Sequence, residues 1–184
     1  SIGGVMLPAG ETNDTTILRR ASAALAEAKT SEDGRCRILT QADADRAAHN
    51  RDLQDDLRRA LDRNEIEILF QPQVDIVTNR IVGVEALARW QHPVHGKLGA
   101  VTLFSVAEDS GFVAPLSAHV QRRALEMAAR WPAVLAALRL SINVTADDMA
   151  QDGFVGRLLR DVDAVAFSRE RLTLELTESG LMED

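Results

Sequence analysis

A glutamate and an arginine four residues apart, Glu85 and Arg89, stand in the run Ile81-Val-Gly-Val-Glu-Ala-Leu-Ala-Arg-Trp90. Branched apolar residues dominate this run and none of its first four positions is polar, so it reads as a buried strand. Side chains on a strand alternate with a period of two, so Glu85, Leu87 and Arg89 lean to one side. A charge buried without a partner is expensive, and such residues meet a metal, a ligand or each other. Two readings stand at this point: an internal Glu–Arg pair that holds a sheet together, and a functional site.

Two later strands carry the same pattern. In Leu140-Ser-Ile-Asn-Val-Thr145, the apolar Leu140, Ile142 and Val144 oppose Ser141, Asn143 and Thr145. In the strand predicted over residues 172–178, Leu172, Leu174 and Leu176 oppose Thr173, Glu175 and Thr177. In a parallel barrel, polar residues near the C-terminal ends of strands line the active-site mouth, and Glu85, Asn143 and Glu175 would converge there from three strands. Two carboxylates and an amide carbonyl make a hard, all-oxygen set suited to Mg²⁺ or Mn²⁺. His92 and His95 form a competing pair, but imidazole suits softer metals than an oxygen site takes. The bland alternative is that each strand is simply amphipathic.

The elements that must position these residues follow from the patterning. Residues 1–7 predict a strand, followed by a Pro-Ala-Gly-Glu turn. Thr15 or Thr16 would cap a helix to about residue 29, with Ile17, Leu18, Ala21, Ala24, Leu25 and Ala28 on its apolar face. The Ser31-Glu-Asp-Gly34 cluster predicts a turn and residues 36–39 a closing strand, a β-α-β unit too small to be stable alone. Residues 41–64 predict a connector helix with Leu53, Leu57 and Leu61 on one face. Residues 66–75 read as a strand joined by a short turn to the Glu85 strand, and two strands joined so briefly are antiparallel. Helices near 103–109, 115–130 and 154–162 then alternate with the two later strands. The expected fold class is α/β, a partial TIM-like (β/α) barrel with an antiparallel first strand, preceded by the β-α-β fragment and the connector.

Composition bounds the function. The 184 residues are 46% hydrophobic and 27% charged, with a net charge of −7. That charge argues against duplex nucleic acid as partner, because phosphate contacts need clustered cations. It leaves room for a small anionic ligand met by a metal or a few arginines. No apolar run reaches membrane-spanning length and no signal peptide is evident. The one cysteine, Cys36, excludes an internal disulfide, fits a reducing, cytoplasmic setting, and is expected to be a small buried residue. Trp131, Phe104 and Phe112 are expected in the core rather than as a base-stacking platform.

The motifs also carry a resemblance. Glu85-Ala86-Leu87 resembles the signature of the EAL-domain cyclic di-GMP phosphodiesterases. Phe70-Gln71-Pro72, Asn143-Val144-Thr145 and Glu175-Leu-Thr-Glu178 are similar to that family's next motifs, in the same order. The match covers roughly residues 54–184, with the barrel half itself taken as 65–184 after the 41–64 connector. Residues 1–40 resemble the last β-α-β of a GGDEF (diguanylate cyclase) domain, with Ser-Ile-Gly at the start and Ala28-Lys29 ending the helix. Gly34-Arg35-Cys36 departs from the usual Gly-Arg-Asn, and the GGDEF signature itself is absent, so no cyclase activity is implied.

The resemblance implies that Glu85, Asn143 and Glu175 are ligands in a two-metal Mg²⁺ or Mn²⁺ site and that Arg89 holds a substrate phosphate. It places Gln71 at the substrate-facing end of the first strand and has Glu178 steady a loop beside the metals. It implies metal-assisted hydrolysis of cyclic di-GMP to the linear dinucleotide, in bacterial signalling, with a homodimer through the EAL domain. A full barrel needs roughly 250 residues. The family's aspartate pair, catalytic lysine and further glutamate would follow residue 184, so no general base is assigned in this sequence. The chain alone is expected neither to fold compactly nor to turn over substrate, and to be a segment of a longer GGDEF–EAL protein. The alternative for that parent is a non-catalytic EAL module that binds cyclic di-GMP or a partner protein. A signal relay through the connector helix rests on position only.

Overall fold

In the computed structural model, which describes residues 1–6, 14–30 and 36–176, the chain divides into two units, residues 1–53 and residues 54–184. The turns expected at residues 8–11 and 31–34, and Leu7, Thr177 and Glu178, lie outside the described residues.

In the first unit, strand β1 (Ile2–Val5) pairs in parallel with β2 (Cys36–Leu39) across helix α1 (Asp14–Thr30). Gly3 makes this packing possible, because a Cβ there would come within 2.6 Å of the Ala21 carbonyl oxygen of α1. Ala24 and Ala28 give α1 its buried stripe, while Leu18, expected on that stripe, is exposed. The helix starts at Asp14, before the threonines expected to cap it. Cys36 is exposed rather than buried. The register puts it level with Ile2, on the sheet face away from Gly3 and the helix, where Ile2 and Ile38 are exposed too.

Helix α2 (Gln41–Asp62) buries Leu53, Leu57 and Ala60, and Leu61 is half-buried. It ends where Asn64 takes a left-handed conformation (φ 55°), with Glu65 N–H donating back to the Ala60 carbonyl at 3.0 Å. Asparagine tolerates that region better than most residues, which makes it a helix terminator.

The second unit continues with β3 (Ile66–Asp75) and β4 (Arg80–His92), an antiparallel hairpin. Asp75 shapes its turn, Oδ1 accepting from Val77 N (2.8 Å) and Thr78 N (2.9 Å). β4 runs two residues beyond the expected strand, so His92 closes the strand instead of opening a loop. A short strand β5 (Gly96–Leu98), with no signal in the sequence pattern, folds back on it. Helices α3 (Ala100–Asp109) and α4 (Val113–Ala128) then cross over to β6 (Arg139–Val144), parallel to β4. Helices α5 (Ala146–Ala150) and α6 (Phe154–Ala164) cross to β7 (Leu172–Leu176), parallel to β6.

The strand order is β3-β4-β6-β7, with β5 on β4. This is the expected α/β sheet of a partial TIM-like barrel, with its first strand reversed. Val84, Ala86, Ala88 and Trp90 of β4 and Leu140, Ile142 and Val144 of β6 are buried, as are Leu103 of α3, Leu116 and Leu125 of α4 and Leu158 of α6. One face of the sheet thus packs on its crossover helices, leaving the alternate residues for the other face. Phe104, Phe112 and Trp131 are half-buried rather than core. Trp131 meets Phe70 edge-on at 5.3 Å, and the Arg58 guanidinium lies over Phe112 at 6.0 Å. No helix among the described residues is long and apolar enough to cross a membrane.

Candidate functional site

Residues paired across neighbouring strands share a face of the sheet. Gln71 is level with Glu85, Glu85 with Ser141, and Ser141 with Thr173; Asn143 is level with Glu175, and Gln73 with Gly83. One polar face therefore gathers Gln71, Gln73, Glu85, Ser141, Asn143 and Glu175, opposite the face that packs on helices.

Hydrogen bonds knit this face together. Asn143 Nδ2 donates to Glu85 Oε1 at 2.9 Å. Gln73 Nε2 donates to Glu175 Oε1 at 2.8 Å, and Ser141 Oγ donates to Gln73 Oε1 at 3.2 Å. The three residues expected as ligands thus share one face of the sheet, and Gln71 stands beside Glu85 on the neighbouring strand.

Arg89 lies four residues further along the Glu85 strand, half-buried, its guanidinium donating to the Ala88 carbonyl at 2.7 Å. The partners of Glu85 and Arg89 differ, so the two charges do not serve as a simple internal pair. Glu178 lies outside the described residues.

Gln73 and Ser141 stand on this face as well; Ser141 was placed on the polar side of its strand by the sequence, and Gln73 was not singled out. The signal was Gly83, level with Gln73: a Cβ on Gly83 would come to 3.0 Å from Gln73 Oε1. A glycine inside a strand often marks a close approach by another group, and here it is the glutamine amide.

The C-terminal end of β6 is held from behind. Thr145 and Asp148 form a capping box at the start of α5, with Asp148 N donating to Thr145 Oγ1 at 3.1 Å and Thr145 N to Asp148 Oδ2 at 3.0 Å. Gln121 of α4, also buried, donates from Nε2 to the Asn143 carbonyl and to Asp148 Oδ2, both at 3.3 Å. Asn143 therefore projects from a backbone fixed on both sides.

The donor set fits a hard divalent cation. Glu85 and Glu175 each accept from a neighbouring amide through Oε1, and Asn143 Nδ2 donates to Glu85, so Oε2 of both glutamates and Oδ1 of Asn143 remain as oxygen ligands. Mg²⁺ and Mn²⁺ favour such oxygens. Among the described residues no three His, Cys, Asp or Glu side chains form a metal-binding group. His92 has other duties. Its buried ring accepts at Nδ1 from Val94 N (3.1 Å) and His95 N (3.2 Å), which puts the proton on Nε2, 3.2 Å from Asp56 Oδ2.

A sheet with parallel strands joined by helical crossovers, a reversed first strand and oxygen-bearing side chains on one face defines an α/β domain of partial-barrel type. The EAL domain family model matches residues 54–184, and the chain belongs to that family.

Among its relatives, the cyclic di-GMP phosphodiesterase PA2567 of Pseudomonas aeruginosa is 38% identical over 117 residues, covering 64% of this chain and 20% of that protein. The cyclic di-GMP phosphodiesterase PdeR of Escherichia coli is 29% identical over 184 residues, covering all of this chain and 28% of that protein. The solved complex of PaMucR phosphodiesterase with c-di-GMP has a TM-score of 0.66 at 30% identity, over 72% of this chain and 54% of that one. The FimX EAL domain of Pseudomonas aeruginosa, solved with c-di-GMP bound, shares the fold, with a TM-score of 0.59 at 18% identity over 67% of this chain and 49% of that one. The chain spans 20% to 28% of the length of these curated relatives and about half of the solved chains.

Proposed function

We propose that residues 54–184 contribute the first part of the substrate and metal site of a phosphodiesterase that hydrolyses cyclic di-GMP to the linear dinucleotide. The observation that carries this reading is the convergence of Glu85, Asn143 and Glu175 on one hydrogen-bonded sheet face. Glu85, Asn143 and Glu175 would hold Mg²⁺ or Mn²⁺, which when bound supplies Lewis acidity and an acidified water.

The chain's own residues do the rest. Arg89 offers a guanidinium able to take phosphate oxygens bidentately. Gln71, beside Glu85, is assigned to substrate and Glu178 to the loop beside the metals. A cleft between β4 and helices α3 and α4, lined by Ala86, Leu87, Phe104 and Val120 and by the polar Glu108 and Asn143, offers an apolar wall to a flat ring. Residues 1–40 are assigned to the end of a GGDEF domain, on the parallel β1-α1-β2 unit and the Ser-Ile-Gly and Ala-Lys motifs.

A second reading is a non-catalytic module that binds cyclic di-GMP or a partner protein without turnover. Both readings place the parent protein in cyclic di-GMP signalling. The test is hydrolysis of cyclic di-GMP by the full-length protein with Mn²⁺, followed by chromatography of the linear product. Turnover that falls by about a thousandfold in Glu85→Ala, in the range of losing a principal charge-stabilising group, supports the enzyme. Binding without turnover selects the module, and turnover unchanged by Glu85→Ala would sink the assignment of this site.

A further inference from the structure

We propose that Gln73 is a positioning residue: it fixes the carboxylate of Glu175, and Ser141 fixes Gln73 in turn. This rests on Glu175 being a cation ligand, as proposed above. The directions of the hydrogen bonds follow from chemistry. An ionised carboxylate only accepts, so the amide must turn Nε2 toward Glu175 and Oε1 away from it. Oε1 then needs a donor, and the buried Ser141 hydroxyl supplies it at 3.2 Å.

The relay engages Glu175 Oε1 at 2.8 Å and leaves Oε2 as a donor. It also joins the two ends of the strand order. β3 and β7 are separated by β4 and β6, three spacings of about 4.8 Å each, so the sheet curls toward this face to bring Gln73 and Glu175 together. Gly83 keeps the path clear, since any side chain there would contest the space of the Gln73 amide. A register shift directly after Gln73 ends its regular pairing, so the side chain is aimed by the strand up to that point. Groups that hydrogen-bond a metal's carboxylate ligands orient them, and removing one typically lowers metal affinity about 10- to 100-fold.

The test measures Mn²⁺ affinity of the substrate-free full-length protein by titration calorimetry, together with the melting temperature with and without Mn²⁺. Wild type is expected to bind Mn²⁺ and Glu175→Gln to lose that binding. Gln73→Leu is expected to weaken binding about tenfold, within the range for such groups, while the metal-free melting temperature stays at the wild-type value. Gln73→Asn, with its amide one methylene too short, gives the same loss and replaces Gln73→Leu if that variant does not fold. Ser141→Ala weakens binding less. The Ser141→Ala/Gln73→Leu double variant matches Gln73→Leu alone, because serine acts through glutamine. Wild-type affinity in Gln73→Leu, or losses that simply add in the double variant, overturns the inference. A wild-type protein that binds no Mn²⁺ overturns the metal reading itself, and the inference with it.

Discussion

At the scale of single residues, His119 shows how position sets protonation. It stands half-buried on α4, beside a hollow that it shares with Asp62, Arg122, Arg157 and Asp161. Burial holds its imidazole below the ordinary value of 6.5, Arg122 and Arg123 push the same way, and Glu126 opposes them weakly. The unfolded chain therefore binds a proton more readily than the folded one. Stability rises with pH from the depressed folded value up to about 6.5 and is lost as pH falls through that window. His119→Gln is expected to flatten this stretch. Urea midpoints at pH 7.5 and 5.5 should differ less in the variant than in wild type, and equal differences would count against the assignment. Parity along three strands was enough to single out Glu85, Asn143 and Glu175 in the sequence. Gln73 was not legible that way, because its contact with Glu175 depends on a sheet that curls, and strands far along the chain decide that. Cys36 was misread for a related reason: residue type suggests burial, but only the pairing of β1 with β2 decides which face meets a helix.

Between elements, the joint of α2 to the end of β4 is a defined contact. Asp56 accepts from Arg59 through Oδ1 (2.5 Å) and from His92 through Oδ2 (3.2 Å), while Trp90 Nε1 donates to Glu65 Oε2 at 3.2 Å. The hydrogen bond from Arg59 holds the Asp56 carboxyl below its ordinary range, and His92 adds to this. The stabilisation is therefore present above the usual aspartate range and is lost as pH falls through the lowered folded value. Asp56→Ala would leave the buried His92 N–H without its acceptor, a loss of about 1–3 kcal/mol, and Asp56→Asn, which keeps an acceptor, should lose less. Chemical denaturation reads this directly, and a variant as stable as wild type would show that the joint holds nothing. Strand β3 was readable to its last residue because Ile66, Ile68 and Leu69 open it and the turn-rich Ile76-Val-Thr-Asn-Arg80 connection bounds it. Strand β5 and helix α5 were not, being three and five residues long. Neither is long enough to show a period, and α5 is announced only by the local capping of Thr145 and Asp148.

For the whole molecule, charge sets the terms on which an anion is received. The chain carries a net −7, and cyclic di-GMP, with two phosphodiester groups, would meet repulsion at long range. The sequence made this balance plain. It could not say where compensation sits, because the position of Arg89 relative to two carboxylates depends on which strand faces are brought together. In the proposed site the carboxylates Glu85 and Glu175 add repulsion of their own, Arg89 is the cation assigned to it among the described residues, and a bound divalent cation would tip the balance toward the anion. Chelation with EDTA is therefore expected to lower the affinity of the full-length protein for cyclic di-GMP by about tenfold or more, the scale of a lost charge-assisted contact. Salt separates this from an ordinary basic phosphate site. The screening length shrinks from about 10 Å at 0.1 M to about 3 Å at 1 M, so added NaCl should relieve the repulsion and narrow the gap between chelated and Mn²⁺-loaded protein. Calorimetric titrations at low and high NaCl, with and without Mn²⁺, measure both effects. Affinity that ignores chelation, or that falls steeply with salt in the chelated protein, would mean that cations of the chain itself receive the ligand.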